Sequence, residues 1–155
     1  MPLGKHVAQK GGTRQFASTN KNLKPYVEEF EKIDQNQKGD SFKVEDIPVN
    51  FGDPDKDEFE GVCYIYGDGT REIIVRKSWW NQVSEHDRRS LIFHELGHCR
   101  LDRDHDNTII ELEGTDLKAS LMHEVIVSAQ KYKENTENYN HELFSQDKSV
   151  FLEEE

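Results

Sequence analysis

The most regular hydrophobic pattern in the chain lies between residues 61 and 77. Val62-Cys63-Tyr64-Ile65-Tyr66 and Arg71-Glu72-Ile73-Ile74-Val75-Arg76 are rich in β-branched and aromatic residues, and Gly67-Asp68-Gly69-Thr70 between them supplies turn residues. This predicts a β-hairpin. Phe42 to Phe51 alternates in part and reads as a further strand, with Pro48 suited to an edge. Helical spacing appears elsewhere. Tyr26, Val27, Phe30 and Ile33 form an apolar stripe over Leu23 to Ile33, and Pro25 suits the first turn. Ser84, followed three residues later by Asp87, has the form of an N-terminal cap. After it, Leu91, Ile92, Phe93, Leu96 and Cys99 are distributed around much of a helix, which therefore belongs in the interior. Later, Leu117 to Met122 leads into a helix running through about Tyr132, and His141 to Phe144 forms a final turn or short helix. Between these elements, residues 34–40 read as a polar break, 52–60 as an acidic loop and 107–114 as a short connection. Residues 1–20 read as disordered or loosely attached. Trp79 and Trp80 read as packing anchors. The elements sum to an α+β protein: a small mixed β-sheet on a buried helix, with a C-terminal helix.

Composition narrows the partners. At 155 residues the chain has the size of one domain able to bury a core. A formal charge of −11 disfavours nucleic acid and anionic membranes, both polyanionic. No run of residues has the length and apolarity of a membrane span. The N-terminal residues lack the apolar stretch of a secretory signal, so the expected setting is cytoplasmic for a complete chain and exported for a trimmed one. Two cysteines, Cys63 and Cys99, allow either one bridge or two buried thiols.

Chemistry concentrates in the capped helix. His94-Glu95-Leu96-Gly97-His98 places two imidazoles four residues apart, on one helix face, with a carboxylate directly after the first. Two such imidazoles can grip one Zn²⁺ while the glutamate handles protons on water. Ionisable residues on a buried helix are costly unless paired or metal-bound, which favours a metal here. Gly97 in the helix interior costs about 1 kcal/mol against alanine and implies that a neighbour approaches closely. A catalytic zinc needs a third protein ligand. His105, seven residues beyond His98, is the leading candidate. Asp104 follows, and then a later glutamate: Glu111, Glu113 or, best placed of these, Glu124. Cys99 points about 100° away from His98 on the helix and reads as core.

His94-Glu95-Leu96-Gly97-His98, then His105 and Ser120-Leu121-Met122, resembles the metzincin clan of zinc endopeptidases. The likeness is closer still to small bacterial and phage-type metallopeptidases whose motif opens His-Glu-Leu-Gly-His-Cys. It covers roughly residues 42–144 and is best at 91–105 and 120–122. It implies a zincin-like fold, with a small twisted sheet over the motif helix and Met122 in a turn beneath the metal. It also implies that Val62–Tyr66 is the outer edge strand, beside which a peptide or protein substrate would pair through backbone hydrogen bonds. Two positions depart from the pattern. The turn-forming glycine of the family falls on Leu101, and its third histidine falls on Asp104, one residue before His105. Leucine resists the left-handed backbone that glycine permits, so this chain must turn differently.

The resulting expectation is a metallopeptidase domain over 41–152, preceded by an N-terminal extension, 1–40, with a short helix. Zn²⁺ would be held by His94, His98 and His105, with Glu95 as general base. Tyr132 and Tyr139 are candidate oxyanion donors, each with a structural role as the simpler reading. Two other classes compete. One is a binding protein whose zinc only stabilises the fold. The other is a metal-dependent endoribonuclease, similar in its three-histidine spacing but lacking a glutamate after the first histidine.

Overall fold

A computed structural model of the chain describes residues 7–38, 43–54 and 59–152. Residues 1–6, the start of the Phe42–Phe51 segment, the middle of the acidic loop and the tail 153–155 lie outside the described residues. The architecture is mixed α+β, as the hydrophobic pattern predicts. In chain order the elements are β1 (Val7–Lys10), α1 (Lys24–Lys38), a 3-10 turn (Val44–Asp46), β2 (Val49–Phe51), β3 (Gly61–Tyr66) and β4 (Arg71–Val75). They continue with α2 (Lys77–Trp80), α3 (Glu85–Cys99), β5 (Ile109–Leu112), β6 (Thr115–Lys118), α4 (Ala129–Glu134), α5 (Thr136–Ser145) and a last 3-10 turn (Ser149–Leu152).

The four-stranded sheet has the order β1-β3-β4-β2. The central hairpin β3–β4 is antiparallel, with Cys63 opposite Ile73 and Tyr64 opposite Glu72. β1 lies parallel to β3 and β2 parallel to β4. Alternation along each strand divides the side chains between two faces. Cys63, Ile73 and Val75 join α1, α3 and α5 in the main core, which includes Leu23, Val27, Phe30, Leu91, Phe93, Leu96 and Leu143. Phe30 packs edge-on to Phe93 at 5.5 Å and against Phe144 at 5.0 Å. The opposite face carries a smaller cluster of Phe59, Val62, Tyr64, Tyr66 and Ile74. There the buried Glu72 carboxylate accepts the backbone amides of Gln15 at 3.0 Å and Phe16 at 3.2 Å, and the Tyr66 hydroxyl.

Several expectations need correction. Val62–Tyr66 is an inner strand and not an edge, because β1 pairs along it from Cys63 to Tyr66. The reason lies in β1 itself. Val7 packs on the main core, Ala8 on the opposite cluster, and the Lys10 ammonium sits 4.4 Å from the centre of the Tyr64 ring. The loosely attached stretch therefore supplies a strand. Of the residues before 41, Leu23, Val27 and Phe30 are fully buried in the main core. Residues 34–38 continue α1 where a polar break was expected, since Asp34 turns inward to Arg100 at 3.1 Å. The Phe42–Phe51 strand shortens to β2 behind a 3-10 turn. Residues 109–118, read as a connection and the approach to a helix, form the β5–β6 hairpin, with Glu113 and Gly114 at positive φ in its turn. The helix expected after Met122 begins only at Ala129, capped by the Ser128 hydroxyl. The short C-terminal helix extends to the ten residues of α5.

Other readings hold. The β3–β4 hairpin and the Ser84 cap form where expected, and the Ser84 hydroxyl accepts the Asp87 amide at 3.3 Å. Trp80 is buried, edge-on to Tyr26 and Phe51, with the Arg88 guanidinium 5.0 Å from its ring. Cys63 and Cys99 form a disulfide that staples β3 to the last residue of α3. Among the described residues no helix is long and apolar enough to cross a membrane.

Candidate metal centre

Every residue of α3 from Ser90 to Cys99 is buried, so the polar side chains of the motif enter the interior with the helix. His94 and His98 are each anchored through Nδ1. The His94 ring lies 2.6 Å from the Leu121 carbonyl, and that of His98 lies 2.7 Å from the Arg103 carbonyl. A carbonyl only accepts, so Nδ1 is the protonated nitrogen of each ring, and in the neutral imidazole the lone pair is then on Nε2. The two Nε2 atoms stand 3.2 Å apart. Two lone pairs at that separation repel, and either a shared proton or a metal ion between them relieves the repulsion. About 3.3 Å is the spacing expected of two imidazoles on one tetrahedral zinc, given Zn–N bonds near 2.0–2.1 Å. Carbonyl anchoring of the far nitrogen is the usual way a metal-binding histidine is oriented.

His105 completes the group. The ligand atoms of His94, His98 and His105 all lie within 4.8 Å of one another. Three converging imidazoles suit zinc and its borderline-soft neighbours, and do not suit calcium or magnesium, which prefer oxygen. The residues present therefore fit the metal. Among the described residues this is the group able to hold an ion, and it includes neither Asp104 nor the later glutamates. Asp104, Glu111 and Glu113 are exposed. Glu124 lies in the irregular segment after Met122, and its amide bonds to Asn107.

The departure at Leu101 has a local solution. Leu101 keeps an ordinary backbone, its amide still bonded to the Leu96 carbonyl at 3.2 Å, and the left-handed residue is Asp102, with φ 55°. Aspartate tolerates that conformation better than leucine. Arg71 fixes the turn from β4, donating to the Cys99 carbonyl at 2.7 Å and to the Asp102 carboxylate at 2.8 Å. The reversal thus falls at Asp102, three residues before His105.

Met122 sits beneath the helix, fully buried. A Cβ on Gly97 would collide with its sulfur, which is the close neighbour that an interior glycine implies. The Ser120 hydroxyl accepts the Met122 amide at 3.0 Å, and the Met122 carbonyl accepts the Asp106 amide at 2.9 Å. The turn at Met122 thereby ties the His94 anchor to the His105 loop. Glu95 is fully buried, and β3 passes over it at Gly61, where a Cβ would come within 3.2 Å of the Glu95 Cγ. The two tyrosines considered as oxyanion donors are occupied elsewhere. Tyr132 donates to Asn140 at 2.8 Å, and Tyr139 to the Lys118 carbonyl at 2.6 Å.

Sequence reasoning missed the charged residues that hold this loop: Arg71, Arg103, Asp106, Glu142 and Lys148. The one available signal was Arg103, a lone cation within Asp102-Arg103-Asp104-His105-Asp106. A cavity of about 430 Å³ opens beside His105, lined by Leu101 to Asn107 and Gln146. Comparison with protein-family models, with curated proteins and with solved structures finds no match for this chain.

Proposed function

We propose that this chain is a zinc-dependent metallopeptidase, with His94, His98 and His105 as metal ligands and Glu95 as general base. The observation that carries the reading is the convergence of three imidazoles on one point, with a buried glutamate adjoining the first of them. Bound zinc would supply polarisation of the scissile carbonyl and a lowered pKa for water. The chain's own residues do the rest. The Leu121 and Arg103 carbonyls hold the two helical imidazoles in the tautomer that leaves Nε2 available. Glu95 takes a proton from the attacking water at a carboxylate oxygen and returns it to the departing amine. A site that served only to stabilise the fold would have no use for a proton acceptor at that position. The Cys63–Cys99 disulfide supports an oxidising compartment for the activity.

The test is elemental analysis combined with a peptide-library cleavage assay. The parent should carry about one zinc per chain and cleave peptides, as one three-ligand site implies. Glu95→Gln should keep metal and fold and lose turnover by at least about 100-fold. His105→Ala should lose both metal and cleavage. A parent that takes up zinc but whose Glu95→Gln variant differs in nothing would leave a structural zinc. A parent that takes up none after reconstitution would overturn the reading.

A further inference from the structure

His105 sits on a stretch without regular structure, yet the residues on either side of it are held by charge. The Arg103 side chain is turned into the protein. It donates to both Glu142 carboxylate oxygens, at 3.0 and 3.2 Å, to the Glu142 and Leu143 carbonyls at 3.2 Å, and to Asp106 at 3.2 Å. Lys148 closes the ring, 2.6 Å from Asp106 and 3.0 Å from Glu142. Two cations and two carboxylates balance, and Glu142 is fully buried among them.

The backbone of the same residues reaches the histidines. The Arg103 carbonyl anchors His98, and the Arg103 amide bonds to the Gly97 carbonyl at 3.0 Å. The Asp106 amide bonds to the Met122 carbonyl, one residue beyond the Leu121 carbonyl that anchors His94. Arg103 and Asp106 therefore bracket His105: Arg103 itself supplies the His98 anchor, and Asp106 bonds to the residue next to the His94 anchor. Their ionic partners come from α5 and the residues that follow it, about forty positions further along the chain.

We propose that Arg103, Asp106, Glu142 and Lys148 form a positioning cluster that couples the metal affinity of the three-histidine site to the docking of residues 136–152. The proposal rests on the metal reading above and adds its regulation. Docking of α5 holds Arg103 and Asp106 in place, which sets the imidazoles for the ion. The ion, by linkage, stabilises the docked helix to the same extent. None of the four residues is a ligand or touches a reacting group. They act through the backbone at 103 and 106.

The experiment uses the full chain and three readouts: zinc affinity by competition with a chromogenic chelator, the visible spectrum of the cobalt(II) form, and hydrogen exchange of the α5 amides with and without zinc. Glu142→Gln keeps shape and removes charge. It should weaken zinc by about 10–100-fold, the usual effect of removing a group that orients metal ligands, and shift the cobalt bands. Lys148→Met, on the partly exposed rim, should move both in the same direction by less. Lys131→Ala, in an exposed pair with Glu134, should move neither. Zinc should slow exchange in residues 136–145 of the parent, and slow it less in the two cluster variants.

Parent-like zinc affinity in both cluster variants, with lowered thermal stability, would overturn the coupling and leave a purely structural cluster. So would α5 exchange in the parent that is indifferent to zinc. If Glu142→Gln fails to fold, Lys148→Met and parent exchange decide the matter. A parent that binds no zinc refutes the metal reading itself. A parent that binds zinc as tightly as its variants refutes only the coupling.

Discussion

Glu72 and Glu142 are both fully buried glutamates, and they are satisfied in opposite ways. Glu72, on the sheet face away from α3, bonds to no cation among the described residues. Two backbone amides and one phenol serve it, and they tie residues 15 and 16 to the sheet. Glu142, on α5, is served by a guanidinium and an ammonium that also reach Asp106. The difference follows from what each must hold. A passing backbone presents N–H donors at fixed intervals, so one carboxylate can clasp it. A loop that must present a histidine to a metal has few donors to spare, and long cationic side chains span the remaining distance. The first arrangement fastens a segment. The second sets the position of two segments at once, with Arg103 bonded to both through its fork of donors.

The largest expected effect comes from cutting the link between the two sides. The Cys63–Cys99 bridge closes a span of 36 residues from β3 to the end of α3. Chain-entropy arguments give it about 4 kcal/mol. The Cys63→Ala, Cys99→Ala double variant should lose about that much in urea unfolding, and a loss under 1 kcal/mol would mean that the core alone holds α3 on the sheet. Next comes Arg103→Met. Breaking a buried ion pair costs about 3–5 kcal/mol, and the lower end applies because Lys148 still faces Glu142. The same melt measures it. If Arg103→Met costs no more than a surface substitution, the ionic side of the comparison carries no weight.

Glu72→Gln should cost less, about 1–3 kcal/mol, because one oxygen still accepts an amide while an NH₂ group is turned toward a donor. Its signature is local: hydrogen exchange should quicken at residues 15 and 16 and stay at parent rates in α5. Exchange that quickened in both places would erase the distinction between the two glutamates. The smallest effect is expected from Tyr66→Phe, about 1 kcal/mol for one hydrogen bond. It has a pH signature as well. Burial and the bond to Glu72 push the Tyr66 hydroxyl up to about 12 from its ordinary 10. A raised pKa means that the native state resists ionisation. This contribution to stability is whole below pH 10 and declines as pH climbs through about 12. Stability measured from pH 9 to 12 should fall more steeply in the parent than in Tyr66→Phe, and equal slopes would place the phenol in contact with water.

The candidate site was legible to an unusual depth, and for local reasons. His94, Glu95 and His98 need only helical periodicity to share a face, and Ser84 with Asp87 marks where that helix starts. Gly97 announced a close neighbour, which proves to be Met122. The hairpin announced itself by its turn residues. The misreadings are just as particular. Val7 to Lys10 is too short and mixed to stand out as a strand, and it becomes one only because β3 offers a partner with apolar cover on both faces. Asp34 reads as a helix breaker until Arg100 meets it inside. Leu101 signals an obstructed turn, and the sequence holds no sign that Asp102 would take the turn over with Arg71 to secure it.

By itself, then, the sequence determined the elements whose causes lie within a few residues: the capped motif helix, the central hairpin, the pairing of imidazoles on one helix face and the choice of histidine as candidate ligand. Tertiary structure alone decided which strand lies at the edge, how the chain reverses after the helix, which of His105, Asp104 and the later glutamates joins the cluster, and which distant charges steady it. Those outcomes depend on contacts between residues tens of positions apart. A buried carboxylate or guanidinium has no preferred place along a chain until folding removes water and leaves only certain partners within reach.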